Sequence, residues 1–251
     1  MIAPKEPHEF GGVGGLGGVG GAAPYKPAGF LVPEGPVGVL AIQGSFELHL
    51  ATLRRLGVRS RPVRKPVDLE GLSALILPGG ESTVMSLLMQ KYSLFEPVRK
   101  LGEKGLPMLG TCAGAILLGH GEGIPQRLEL APVELQRNAY GTQVDSFTAT
   151  LSLKPFSRPF HGIFIRAPRI LRLLGPRGPD GGEGRRHRVE AVTLGELHGS
   201  PVLVSAGNFL LATFHPELTD DLRIHDYFLR RFVSRKVEEP VLSVGRLAVG
   251  R

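Results

Sequence analysis

The chain predicts a three-layer α/β sandwich around a mostly parallel sheet, with an antiparallel extension in the C-terminal half. Two features carry that expectation. In the first half, continuous apolar runs alternate with stretches of helical spacing over short connections; right-handed crossovers turn such a rhythm into a parallel sheet covered on both faces. In the second half, strand-like runs follow one another through turn-like links, the pattern of antiparallel neighbours.

Val37 to Ile42 is an unbroken apolar run, as expected of a strand buried on both faces. Phe46 to Leu56 places Leu50, Leu53 and Leu56 at helical spacing and ends at Gly57, a residue suited to a helix C-terminus. A weaker strand follows at Val58 to Val63, and a third at Ala74 to Leu77, closed by Pro78-Gly79-Gly80. Ser82 is a candidate N-cap for a helix through Leu88, and Leu94 to Gly102 is a further helix. Leu106 to Leu109 is a short buried strand and Ala115 to Leu118 the start of an apolar helix. Beyond these, Ser146–Leu151, Gly162–Ile165, Val189–Val192, Val202–Val204 and Phe209–Phe214 are strands, and Asp221 to Lys236 is a last helix.

The folded unit is expected over 36–236, between a flexible Gly/Pro-rich tail at 1–35 and a second tail at 237–251. A Pro/Gly-rich loop insertion at 175–187 interrupts it. With no Trp and few aromatics, Leu, Val and Ile must supply most of the core. One cysteine allows no intrachain disulfide and fits a reducing, cytoplasmic setting. No apolar stretch approaches the roughly 18 residues of a membrane span. The net charge is +7, but most arginines are scattered over helix faces, and the Arg185-Arg186-His187-Arg188 cluster lacks interleaved aromatics. A solvated surface explains that charge better than nucleic acid does. No residues show metal-ligand spacing, so neither a metal nor another cofactor is expected.

Chemistry concentrates at the lone cysteine, Cys112, in Gly110-Thr111-Cys112-Ala113-Gly114. A glycine-bracketed turn between strand and helix pushes one side chain out at the carboxyl edge of a sheet, and a thiol there needs only a base to ionise it. The clearest base is His215 in Phe214-His215-Pro216-Glu217, where Glu217, two residues on, shares a face with the imidazole in extended chain. His49 falls on a helix, His161, His187 and His198 lie on loops or strand ends with no carboxylate two residues on, and His225 is expected to be solvated on the last helix. The amides of Gly80 and Ala113 are candidates for an oxyanion hole.

Three motifs, Gly110–Gly114, Pro78-Gly79-Gly80-Glu81-Ser82-Thr83 and Phe214–Glu217, together resemble a class I (triad) glutamine amidotransferase. The segments 137–147 and Phe164–Pro168, with His215–Asp221, are similar to the glutaminase subunit family of pyridoxal 5′-phosphate synthase. The resemblance spans roughly residues 37 to 235 and implies a flavodoxin-like sandwich. It implies hydrolysis of L-glutamine to glutamate and ammonia by Cys112, His215 and Glu217 through a thioester. Gly80, Glu81, Ser82, Arg137, Ile165 and Arg166 are then expected to contact glutamine. Ammonia is expected to pass to a (β/α)8-barrel synthase subunit in a large hetero-oligomer. Two positions depart from the family pattern: Leu48 stands where glutamate is usual and Thr142 where arginine is usual, both near the expected synthase contact. A cysteine hydrolase or peptidase on the same sheet, and a non-catalytic binding protein, are the alternatives.

Overall fold

The computed structural model describes residues 33–137, 146–175 and 190–233. Expectations for the N-terminal tail through residue 32, for Thr142, for the insertion beyond Gly175 with its arginine cluster, for residues 234–236 and for the C-terminal tail lie outside them.

Among the described residues the central sheet has seven strands in the order β2-β1-β3-β4-β11-β10-β9. These are β1 (Val37–Leu40), β2 (Ser60–Val63), β3 (Ala74–Leu77), β4 (Met108–Thr111), β9 (Ala191–Leu197), β10 (Ser200–Ala206) and β11 (Phe209–Ala212). β2, β1, β3, β4 and β11 run parallel, while β10 is antiparallel to both of its neighbours. Pro62 is tolerated because β2 is the edge strand, where a missing N–H costs no central ladder bond. On the far side, the ladder between β9 and β10 shifts register after Pro201.

The antiparallel extension is narrower than the sequence suggests. Among the described residues, only β9 and β10 join the main sheet beyond β11. β6 (Ser146–Leu151) pairs with β7 (Phe160–Ile165), and β5 (Val133–Gln136) with β8 (Arg169–Leu173), as two separate two-stranded sheets. β6 alternates exposed and half-buried positions, a pattern unsuited to a central strand covered on both faces.

Along β1, β3 and β11 successive side chains enter opposite cores. Leu40, Leu75, Leu77 and Leu211 pack with α2 (Ser82–Lys91), α3 (Phe95–Glu103), α4 (Ala113–Leu118) and the β5–β8 pair. Val37, Val39, Ile76 and Leu210 pack with α1 (Phe46–Arg55), α5 (Arg223–Phe228) and the β6–β7 pair. α1 stops where Gly57 takes φ +72°, a left-handed conformation that glycine adopts without steric cost. The last helix begins at Arg223 rather than Asp221, whose carboxylate instead accepts from the Arg223 N–H, and it changes to a π turn at Leu229–Val233.

The segment 120–136 lacks an obvious sequence pattern, and the structure explains why: its organiser is a single buried side chain. Arg127 donates to the carbonyls of Ile116, His120, Glu122 and Leu135 at 2.7 to 3.4 Å. It thereby caps the C-terminal turn of α4 and ties it to β5. Burial pushes this guanidinium down to about 10, still charged at neutral pH.

Candidate active site

The glycine bracket around Cys112 reflects close approach of the backbone. A Cβ on Gly114 would lie 1.9 Å from the carbonyl oxygen of Leu77, and one on Gly110 would lie 2.7 Å from the carbonyl of Gly114. α4 can therefore start immediately after β4 and pack tightly on β3. The chain makes that turn at Cys112 itself, with φ 46° and ψ −102°. For a residue with a Cβ this is strained by about 1–3 kcal/mol, and such strain gathers at functional sites. Cys112 is 5% exposed, and its thiol donates to the Ile165 carbonyl at 3.7 Å.

His215 follows directly on the sheet. Its N–H donates to the Ile163 carbonyl at 2.8 Å, which fastens the end of the β11 segment to β7. The ring rests on Gly79, where a Cβ would stand 2.2 Å from His215 Cε1. Its Nδ1 pairs with Glu217 Oε1 at 2.8 Å, and Glu217 sits in a short 3-10 turn, Pro216–Leu218. The Ser45 hydroxyl also donates to Glu217 Oε1, at 2.6 Å. Burial opposes a charge on His215, but hydrogen bonds to Cys112 and Glu217, with their negative charges, outweigh it and raise the imidazole to about 10. For Glu217, burial is again the largest influence and disfavours the anion. The nearby histidines and the Ser45 hydroxyl overcome it and hold the carboxyl well below the usual range. Held in this way, the imidazole favours its protonated form, with a buried carboxylate on one side and a thiol able to supply the proton on the other.

These groups open into a cavity of about 440 Å³ lined by Gln43, Gly80, Glu81, Ser82, Cys112, Arg137, Ile165, Arg166 and His215. Each residue singled out from sequence for glutamine contact thus lines one cavity with Cys112 and His215. Arg137 lies 3.2 Å from Glu81 Oε1 and donates to Thr83 Oγ1 and the Gly123 carbonyl. Arg166, the other cation, takes φ +44°, a second strained residue at the cavity. An α-amino acid requires this mixture of cation for its carboxylate and acceptors for its ammonium. Ala113 opens α4 behind Cys112.

Ser82 is not the cap of α2. Glu81 is, its carboxylate accepting from the N–H groups of Thr83 and Val84, while Ser82 is the first helical residue. The Glu81 side chain therefore both starts the helix and meets Arg137. The Glu81 N–H in turn donates to Gln43 Oε1 at 2.9 Å. Gln43 is a lining residue that the sequence reading did not single out; its signal is the Gln-Gly pair three residues beyond the end of β1.

The largest departure from expectation concerns two histidines. His225 is not solvated: it and His49 are both 0% exposed, with His49 Nδ1 2.8 Å from His225 Nε2. His49 Nε2 lies 3.2 Å from Thr111 Oγ1 and 3.5 Å from Glu217 Oε2, directly behind the carboxylate. Burial pushes His225 down to about 3 and lowers His49 as well, despite the pull of Glu217.

Among the described residues no group of His, Cys, Asp and Glu could hold a metal ion, and no helix is long and apolar enough to cross a membrane.

Comparison with known proteins identifies the family. The model of the SNO glutamine amidotransferase family matches residues 39–234. The pyridoxal 5′-phosphate synthase subunit PdxT of Thermococcus onnurineus is 49% identical over 208 residues, covering 78% of this chain and 98% of the relative. PdxT of Thermus thermophilus is 49% identical over 200 residues, with 78% and 96% covered. A crystal structure of a glutamine amidotransferase, 46% identical, aligns with a TM-score of 0.67 over 78% of this chain and 98% of its own. The chain belongs to the SNO glutamine amidotransferase family.

Proposed function

We propose that the protein is the glutaminase subunit of a pyridoxal 5′-phosphate synthase, acting in the cytoplasm and supplying ammonia to a (β/α)8-barrel synthase subunit within a hetero-oligomer. The observation that carries the chemistry is the thiol–imidazole–carboxylate line of Cys112, His215 and Glu217 at the floor of a cavity with two arginines and a glutamate at its walls. The assembly is supported by the PdxT relatives, which match nearly their whole length.

His215 takes the proton of Cys112, and the sulfur attacks the γ-carbonyl carbon of glutamine. The carbonyl oxygen becomes an oxyanion, held by the amides of Ala113 and Gly80. The neighbouring amides are committed elsewhere: that of Gly114 to the Pro78 carbonyl and that of Glu81 to Gln43. The imidazolium then protonates the leaving nitrogen, the C–N bond breaks, and ammonia departs from a γ-glutamyl thioester. Water, deprotonated by the same imidazole, attacks the thioester carbon; the C–S bond breaks and glutamate leaves. Glu217 keeps His215 oriented and balances its charge throughout. Arg137 and Arg166 hold the α-carboxylate, and Glu81 accepts from the α-ammonium.

The reading is tested by measuring ammonia release from glutamine by the full chain, alone and with a purified barrel subunit. Release that rises at least about tenfold with the barrel, a modest coupling between sites, is expected. Peptide cleavage in place of ammonia release would favour a cysteine peptidase. Inactivity under both conditions would favour a non-catalytic binding protein.

A further inference from the structure

The triad has a buried continuation that the mechanism above does not use. Behind Glu217, Thr111 at the end of β4, His49 on α1 and His225 on α5 meet in a pocket closed to solvent. The two imidazoles are tilted by 54° with centroids 5.1 Å apart. Two buried atoms there lack a hydrogen-bond partner, Glu217 Oε2 and His225 Nδ1.

These partners decide which nitrogens carry protons. Suppose His49 Nδ1 donated to His225 Nε2. The neutral His225 would then carry its own proton on Nδ1, a buried N–H with no acceptor, which is costly and rare. The lone pair of His49 Nε2 would also face the Glu217 carboxylate. The opposite assignment removes both penalties: His225 Nε2–H donates to His49 Nδ1, and His49 Nε2–H points at Thr111 Oγ1 and Glu217 Oε2. Every N–H then runs in one direction, toward the carboxylate that orients His215.

We propose that His225 and His49 form a neutral two-imidazole relay whose single N–H at Glu217 Oε2 fixes the carboxylate of the triad, making both histidines positioning residues for the reaction. The groups acting on the pair are few. Glu217 lies ahead of His49, His215 stands beyond it, and Thr111 contributes a hydroxyl. Burial holds both rings neutral, so the relay donates without adding a second cation beside the His215 imidazolium. Ser45 and His215 hold Oε1, and the His49 N–H, 3.5 Å away, faces the remaining oxygen, Oε2.

The proposal rests on the glutaminase reading only for its biological purpose, so the test avoids glutamine. Nitrogen-15 histidine spectra of the full chain are expected to show both rings neutral and protonated on Nε2 between about pH 6 and 8. A proton on Nδ1 of either ring, or an imidazolium at His49, would overturn the relay. The second readout is the rate of Cys112 alkylation by iodoacetamide against pH. In His49→Leu, Glu217 is poorly held and His215 becomes a weaker acceptor for the thiol proton. The rate at neutral pH falls about tenfold, the size expected for one hydrogen bond to a charged group, and the acid limb moves to higher pH. His49→Gln, which keeps an N–H donor, restores most of the rate. A wild-type profile in His49→Leu, or no rescue by glutamine, would contradict the proposal. Should His49→Leu fail to fold, His225→Leu and His225→Gln make the same comparison. A chain with the expected tautomers and alkylation shift but no ammonia release sinks the glutaminase reading alone; an active chain without them sinks the relay alone.

Discussion

Cys112→Ala is expected to lower glutamine hydrolysis at least about 10⁴-fold, the scale on which nucleophile removal acts in triad enzymes, while the fold is unchanged. The replaced sulfur is nearly buried, but its surroundings are set by backbone: Gly114 against the Leu77 carbonyl, and the Cys112 N–H donating to the Ala212 carbonyl at 2.8 Å. Neither depends on the thiol. The variant Cys112→Gly sharpens the point, because φ 46° and ψ −102° suit glycine and strain cysteine. It is expected to gain about 1 kcal/mol in urea denaturation and to be inactive. Opposite signs for stability and activity at one position mark a residue kept for chemistry. Activity retained in either variant would remove Cys112 from the mechanism.

Gly79→Ala is expected to lower kcat about 10³-fold with little change in KM, because it strikes the base and leaves the substrate-binding walls in place. The added carbon would stand 2.2 Å from Cε1 and 2.6 Å from Nδ1 of His215. The ring cannot yield cheaply, since Glu217 holds its Nδ1 and the Ile163 carbonyl holds its backbone N–H. It must tilt away from the thiol. A displacement near 1 Å can cost about 10²-fold, and loss of general base catalysis about 10²–10⁴-fold. Gly175→Ala, where a Cβ would meet nothing within 4 Å, is the control and is expected to be silent. Equal kinetics of the two variants by steady-state ammonia release would mean that His215 does not work from its seat over Gly79.

Much of this fold is legible in local sequence because its strongest signals are local. The four-residue runs of β1, β3 and β11 are buried on both faces, so they are written as unbroken apolar stretches. Cys112 and His215 stand just beyond the ends of β4 and β11, at the carboxyl edge of the sheet, whereas Glu217 reaches the imidazole from a 3-10 turn and not from the extended chain expected. What escaped depends on distant partners. His225 has the helical position of a solvated residue and is buried only because His49, 176 residues away, offers it a ring nitrogen. Arg127 draws its acceptors from carbonyls that α4 and β5 bring together, and no periodicity announces that. Serine outranks glutamate as an N-cap by propensity, yet Glu81 takes the role because its carboxylate reaches two amides and Arg137 together. The β6–β7 pair was legible as strands and illegible as a separate ribbon, because pairing partners are set by packing rather than by strand propensity.

Central to the account is attack by the Cys112 sulfur on the side-chain carboxamide carbon of glutamine within the cavity it shares with His215. A diazoketone analogue of glutamine tests the nucleophile, since protonation of its diazo carbon by the imidazolium lets the sulfur displace dinitrogen and leaves a stable thioether. Intact mass and peptide mapping of the full chain with the barrel subunit should show one adduct per chain, on Cys112, suppressed by excess glutamine and absent from His215→Ala. An unlabelled Cys112 in a chain that still releases ammonia from glutamine would contradict it.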